Sequence, residues 1–429
     1  MRSDVIKLVT GKMFACARTP EFLERRINGY YRNRVQDTWG GGHIMRGRTP
    51  GKDAIVLSSN DYLSLARHPK ILQATSESLL QDGNGVLMSG IFLHGENPQL
   101  ELERKLAHFM GAEAGVLCQS GWCANTGLIQ SIANEQTPVY IDMFAHMSLW
   151  EGIRSAGATA VMFHHNTPDH LEKQILKHGP GIIAVDSVYS TSGEICPLEE
   201  IVEIGHRMGC VLVVDESHSL GTHGSQGEGL VASLGLAGRV HFCTVSLAKA
   251  FAGRAGFITC SERFSDYFRF ESNPAIFSST LLPHEVAGLD ATLEVIRTES
   301  WRRKKLHENA GFLRERLDGM GYNISSASQI VSLESGSEQQ TMVLRDALES
   351  RGIFGSIFCA PATPKNRALM RFSVNTSLGE SELNRIVQAC FAIREEVDLA
   401  NWPSSRRKRN AGQPSTTQFH PACAYAEIA

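Results

Sequence analysis

The chain has 429 residues, more than one ordinary domain of roughly 100–200 residues, so a large unit and at least one smaller one are expected. With 42% hydrophobic residues, 20% charged residues and a formal net charge of −3, the composition is globular, gives no electrostatic reason to bind nucleic acid, and favours a small-molecule ligand. No run approaches the roughly 20 uninterrupted apolar residues of a membrane span, and the ten cysteines are scattered without a CxxC pair or a secretory leader, which together point to a reduced, cytoplasmic protein without membrane insertion.

Residues 1–58 are charged and Gly-rich, with Trp39-Gly-Gly-Gly42 and Arg46-Gly-Arg-Thr-Pro-Gly51, and read as a mobile arm available to a partner subunit ahead of Ala54-Ile-Val-Leu57. From about Pro98 an amphipathic helix to Met110 opens a series in which short apolar runs alternate with helical stretches. The runs are Gly115–Cys118, Val139–Asp142, Ala160–Phe163, Ile182–Asp186, Val211–Asp215, His241–Val245 and Gly256–Thr259. Runs that are continuously apolar suit strands covered by helices on both faces, so a mainly parallel α/β sheet is expected within a large domain spanning 59–295. A helical region over 283–320 leads to a smaller α/β domain, 296–400, with strands near Ile330, Ile353 and Met370 and a helix near 338–351. Residues 401–429, with Arg406-Arg-Lys-Arg409 ahead of Ser, Thr, Gln and Pro, read as a disordered, solvated tail.

Ligands of open parallel sheets bind beyond the carboxyl ends of the strands, so polar residues that directly follow apolar runs are the candidates. Val211–Asp215 delivers a carboxylate and then His218; His241–Val245 delivers Ser246 and Lys249. Gln119-Ser120-Gly121-Trp122 opens a helix whose free N–H groups can hold a phosphate, and Val139–Asp142 leads to His146. A phosphate cradle, a carboxylate for a ring nitrogen, an aromatic to stack on a ring, and a lysine amine are the parts needed to run pyridoxal phosphate (PLP) as an electron sink.

Competing motif readings fare worse. Asp215-Glu-Ser-His218 has the look of a helicase acidic box, but no GxxxxGK[ST] loop exists to hold a triphosphate. Ser246-Leu-Ala-Lys249 fits the SxxK of penicillin-recognising serine acyltransferases, yet their KTG element is absent, leaving this the weaker alternative. His164-His165 with His170 lacks a carboxylate or cysteine to complete a metal ligand set, and no metal is assigned.

In order along the chain, Asn60-Asp-Tyr-Leu, Ser120-Gly-x-x-Ala-Asn125, His146-x-Ser148, Tyr189-Ser190-x-x-Gly193, Asp215-x-x-His218, Lys249, Phe277-Ser-Ser-Thr280 and Arg371 resemble the α-oxoamine synthases. These are PLP-dependent transferases of fold-type I, the aspartate-aminotransferase-like fold, that join an amino acid to an acyl-coenzyme A. Within them, Phe144–Glu151, His178–Ile183, Glu216–Gly224, Pro274–Pro283 and Gly352–Cys359 are most similar to the quorum-sensing autoinducer synthases of the cholera and Legionella type.

The resemblance implies that Lys249 is the Schiff-base lysine, Asp215 the partner of the pyridine nitrogen, His218 the neighbour of the ring hydroxyl and His146 the residue stacked on the ring. It further implies Ser120, Gly121, Trp122 and Ser246 at the phosphate, Ser279 reaching it from the other subunit of a homodimer with shared active sites, Ser190 near cofactor and substrate, and Arg371 receiving the substrate carboxylate. Gly85-Val-Leu-Met-Ser-Gly-Ile-Phe-Leu-His94 departs from the Gly-Ser-rich turn of synthases that use glycine, alanine or serine. That departure suggests a different amino donor and a long acyl chain; the resemblance implies S-adenosylmethionine or 2-aminobutyrate as amino donor, with a medium-chain acyl-CoA as acyl donor.

Overall fold

The computed structural model describes residues 19–410. Twelve strands run in chain order as β1 (Ile55–Val56), β2 (Ala114–Cys118), β3 (Pro138–Asp142), β4 (Thr159–Phe163), β5 (Ile182–Asp186), β6 (Val211–Asp215), β7 (Phe242–Ser246), β8 (Gly256–Cys260), β9 (Ile330–Gly336), β10 (Ile353–Phe354), β11 (Ser356–Phe358) and β12 (Ala368–Ser373). All seven apolar runs of the first half are strands, and they form one sheet in the order β2-β8-β7-β6-β5-β3-β4. Only β8 runs against its neighbours, so six strands present their carboxyl ends on the same edge.

Side chains alternate across a strand, and here both faces are dry. Leu117, Tyr140, Ile183, Leu212, Val214 and Phe257 join one apolar core, while Val116, Ile141, Ile182, Val213 and Ile258 join another on the opposite face. Register then fixes the chemistry at the edge: Asp186 ends β5 directly beside Asp215 at the end of β6. A second, antiparallel sheet, β11-β12-β9, carries Arg371 in β12 opposite Ser332 and Ser356. Both sheets belong to a compact unit beginning at Arg48.

The two ends of the chain differ from expectation. Within the separate unit that precedes Arg48, the segment read as a charged, Gly-rich arm contains helices at Glu21–Tyr30 and Tyr31–Thr38, with Arg34 over the Trp39 ring at 5.0 Å and Tyr30 Oη on His43 Nε2 at 3.0 Å. Residues 48–58 are not arm either, because Ile55 and Val56 pair with Ile353 and Phe354. At the other end, Pro403–Asn410 form a helix; Trp402 is buried and donates its indole N–H to Val397 O, and Arg407 pairs with Glu334 at 2.5 Å. The basic run thus begins on a helix that follows the buried Trp402, and the expected tail from residue 411 onward lies outside the described residues.

Candidate active site

Ser120 caps the helix Gly121–Ile132, its Oγ accepting from Cys123 N at 3.1 Å. The first N–H groups of a helix have no intrahelical acceptor, and those of Gly121 and Trp122 open this one. Gly121 has no room for a side chain: a Cβ there would lie 2.5 Å from Ser246 Cβ, so the helix start and the end of β7 meet backbone to backbone. A helix start of this kind can hold an anion, and it brings together Ser120, Gly121, Trp122 and Ser246.

At the neighbouring strand end, Asp215 is buried, with Oδ1 accepting from Ser217 N at 2.8 Å and Oδ2 from Asn125 Nδ2 at 2.7 Å. His146 caps the helix Met147–Ser155 through Nδ1, and its ring meets that of Trp122 edge-on at 6.3 Å. Removal from bulk water lowers its pKa, with Lys249 adding to the effect and Asp215 opposing it. His218 is buried against Tyr62, whose hydroxyl lies 2.8 Å from Nδ1, and Gln329 donates to the His218 carbonyl at 2.8 Å. Burial, then the nearby Lys249 and Arg371 charges, hold this imidazole well below its ordinary pKa, and burial pushes the Tyr62 phenol up to about 12.

Lys249 is half-buried beyond β7 and forms no ion pair among the described residues. Burial lowers its pKa first and Arg371 second, with Asp215 opposing. Both effects enlarge the fraction of free amine, the form that acts as nucleophile or base. Arg371 arrives from the other sheet, donating to Ser190 O at 2.7 Å and to Asn60 Oδ1 at 2.8 Å, while its buried Nε has no partner. A buried guanidinium without a carboxylate is costly unless a ligand supplies one.

Ser279 stands apart. It is exposed, its carbonyl accepts from Gln119 at 2.7 Å, and it bridges to Ser89 of the Gly85–His94 loop. Around it Val86, Leu87, Phe92 and Phe277 are all more than half exposed, an apolar surface that suits a second protomer.

The structure also brings in residues that sequence reasoning did not assign. Asn60 and Tyr62 sit in a marked motif, yet their contacts with Arg371 and His218 cross more than 150 positions and could not be read from it. Asp186 could have been found, since it ends an apolar run as Asp215 does; it accepts from His146 N at 3.1 Å, and burial beside Asp215 pushes its carboxyl well above the ordinary range. Gln329 carries no sequence signal.

His165 is likewise explained. His164 and His170 stack on each other at 3.9 Å, whereas His165 spans Asp142 at 2.9 Å and Glu194 at 3.2 Å. Burial alone would lower its pKa, but the two carboxylates outweigh it and raise the value from 6.5 to about 9. Folding therefore binds the His165 proton, and the stabilisation is fully present below pH 6.5 and lost as pH rises through about 9. Chemical denaturation should show the stability gap between wild type and His165→Gln shrinking across that window by on the order of 2–3 kcal/mol. A gap independent of pH would overturn the assignment of His165 as a cation.

Comparison with known proteins adds to this geometry. The family described as "Aminotransferase class I and II" matches residues 52–389. The chain is 48% identical over 380 residues to the CAI-1 autoinducer synthase of Vibrio campbellii, covering 89% of this chain and 97% of that protein. It is 31% identical over 358 residues to 8-amino-7-oxononanoate synthase 1 of Bacillus velezensis, covering 81% and 90%. Among solved structures, a serine palmitoyltransferase from S. paucimobilis with PLP and myriocin bound is similar at a TM-score of 0.80 and 25% identity, over 89% of this chain and 100% of the other.

Proposed function

The chain belongs to the α-oxoamine synthases, PLP-dependent acyltransferases of fold-type I within the class I and II aminotransferases, and from that premise we propose that it makes an α-aminoketone precursor of a quorum-sensing signal. The substrates in this reading are a medium-chain acyl-CoA and S-adenosylmethionine or 2-aminobutyrate. The observation that carries it is the 48% identity to an autoinducer synthase over nearly the whole of both chains. The bulky apolar Gly85–His94 loop, with Val86, Leu87 and Phe92 exposed, supports a donor other than glycine.

The residues fit PLP. A side chain at Gly121 would fill the phosphate cradle, and the buried Asp215 offers a carboxylate at the distance of one strand from it. When bound, PLP supplies the electron sink that makes the α-carbon of an amino donor nucleophilic. In this reading Asp215 keeps the ring nitrogen protonated, held in place by Asn125 and Ser217. Gly121, Trp122, Ser120 and Ser246 would hold the phosphate, and Ser279 of a second protomer would complete its shell. His146 would face the ring, and His218, backed by Tyr62, would serve its hydroxyl.

Lys249 carries the cofactor and takes the α-proton of the donor, helped by its lowered pKa. Arg371 receives the donor carboxylate, with Ser190 and Asn60 fixing the plane of the guanidinium. The new bond joins the donor α-carbon to the acyl carbon of the thioester; coenzyme A leaves as the thiol, and the carboxyl group leaves as carbon dioxide.

Purified protein is to be incubated with each of S-adenosylmethionine, 2-aminobutyrate and glycine against a series of acyl-CoA esters, and products identified by mass spectrometry. Aminoketones are expected from one of the first two donors with medium-chain esters. Turnover with glycine alone would overturn the signal-precursor reading, leave the family intact, and make another α-oxoamine synthase using glycine, alanine or serine the alternative.

A further inference from the structure

At the floor of the site a short chain of buried side chains connects Asp215 to His146. Asn125 is 2% exposed, Ser148 and Thr244 are fully buried, and every polar atom of Asn125 is used. Its Nδ2 donates to Asp215 Oδ2 at 2.7 Å and to Ser148 Oγ at 2.8 Å, while its Oδ1 accepts from Thr244 Oγ1 at 2.5 Å. The amide orientation follows from chemistry, because a carboxylate only accepts and the side facing Asp215 must be the NH2.

Orientation propagates outward from there. Ser148 Oγ accepts a hydrogen bond from Asn125, so its one proton is left to donate, and the atom it meets is His146 Nδ1 at 2.7 Å. The backbone N–H of Ser148 faces the same nitrogen at 3.4 Å, and an N–H can only donate. Nδ1 must therefore present its lone pair to both. The opposite tautomer would set two N–H groups against each other and leave the hydroxyl proton of a fully buried serine without an acceptor, a cost of about 1–3 kcal/mol. Placement at the N-cap of the helix Met147–Ser155 acts in the same direction, since the positive end of a helix disfavours an imidazolium.

We propose that Asn125 and Ser148 are positioning residues that hold His146 as the neutral tautomer protonated on Nε2. The constraint begins at the carboxylate of Asp215, so one hydrogen-bond chain sets both the group assigned to the ring nitrogen and the group assigned to the ring face. The open edge of His146 is then a hydrogen-bond donor, suited to an oxygen that gains negative charge as the thioester is attacked. This last consequence rests on the acyl-transfer reading above; the tautomer itself does not.

Protein carrying histidine labelled with 15N in the ring reports the tautomer directly, with and without PLP. The His146 signals are identified by their loss in His146→Gln. The expected wild-type pattern at neutral pH is a proton on Nε2 and a lone pair on Nδ1. A proton on Nδ1, or a doubly protonated ring, would overturn the proposal. In Ser148→Ala the pattern should become a mixture of tautomers and kcat should fall roughly tenfold, the worth of one hydrogen bond, with KM unchanged. Ser148→Thr should restore both. An unchanged tautomer in Ser148→Ala would also overturn it. If the wild-type tautomer is as stated and no acyl-CoA is turned over, the assigned reaction fails while the positioning role stands.

Discussion

Lys249→Ala is expected to abolish turnover, by at least about 10³-fold, while the protein remains folded. The visible absorption band of lysine-bound PLP should disappear with it, because the bond between Nζ and the cofactor can no longer form. Stability should hold or rise: the ammonium has no ion-pair partner among the described residues, and burial together with the like charge of Arg371 outweighs the attraction of Asp215, so truncation removes a net penalty. That separation makes the variant decisive. A visible band that persisted unchanged in Lys249→Ala would remove Lys249 from its role, and a collapse of the denaturation midpoint would mean that the lysine is structural.

Asp215→Asn should be nearly as severe for activity, on the order of 10²–10³-fold, because the charge that keeps a ring nitrogen protonated is gone. Here stability should fall as well. Both oxygens of Asp215 face donors, Ser217 N on one side and Asn125 Nδ2 on the other, so the new amide NH2 must confront one of them, at a cost of about 1–3 kcal/mol. Part of that cost is offset at Asp186, whose carboxyl is pushed up partly by the Asp215 charge beside it. Activity is measured with saturating PLP, and stability by denaturant titration of the same preparation. Wild-type activity in Asp215→Asn would exclude the carboxylate from the chemistry.

Several of the site residues are legible in the sequence because their signal is local. An apolar run followed by Asp, His, Ser or Lys marks a strand end, and in a parallel sheet all strand ends share one edge, so Asp215, His146, Ser246 and Lys249 have to lie along that edge once the runs are strands, their spacing being left to strand order. The helix cap at Ser120 is local in the same sense. The arm and the tail mislead because composition is a poor guide to conformation. Residues 21–38 hold a single glycine, Gly29, and their helices are obscured by the glycines that follow Trp39. At the other end, Trp402 anchors a helix that its polar residues alone would not suggest.

Pattern among neighbours in the chain is enough to specify which segments become strands, that they need cover on both faces, and which polar side chains stand at their ends, because periodicity and strand-end position are local properties. What those side chains touch is settled only in the folded molecule. Asn125 reaches Asp215 across 90 positions and Thr244 across 119, Tyr62 reaches His218 across 156, and Arg371 reaches Asn60 across 311. Such pairings depend on strand order and on how the second sheet lies over the first, which hydrophobic burial fixes without regard to distance along the chain. The protonation state of His146 depends on the same long-range contacts, and for that reason it appears only in the fold.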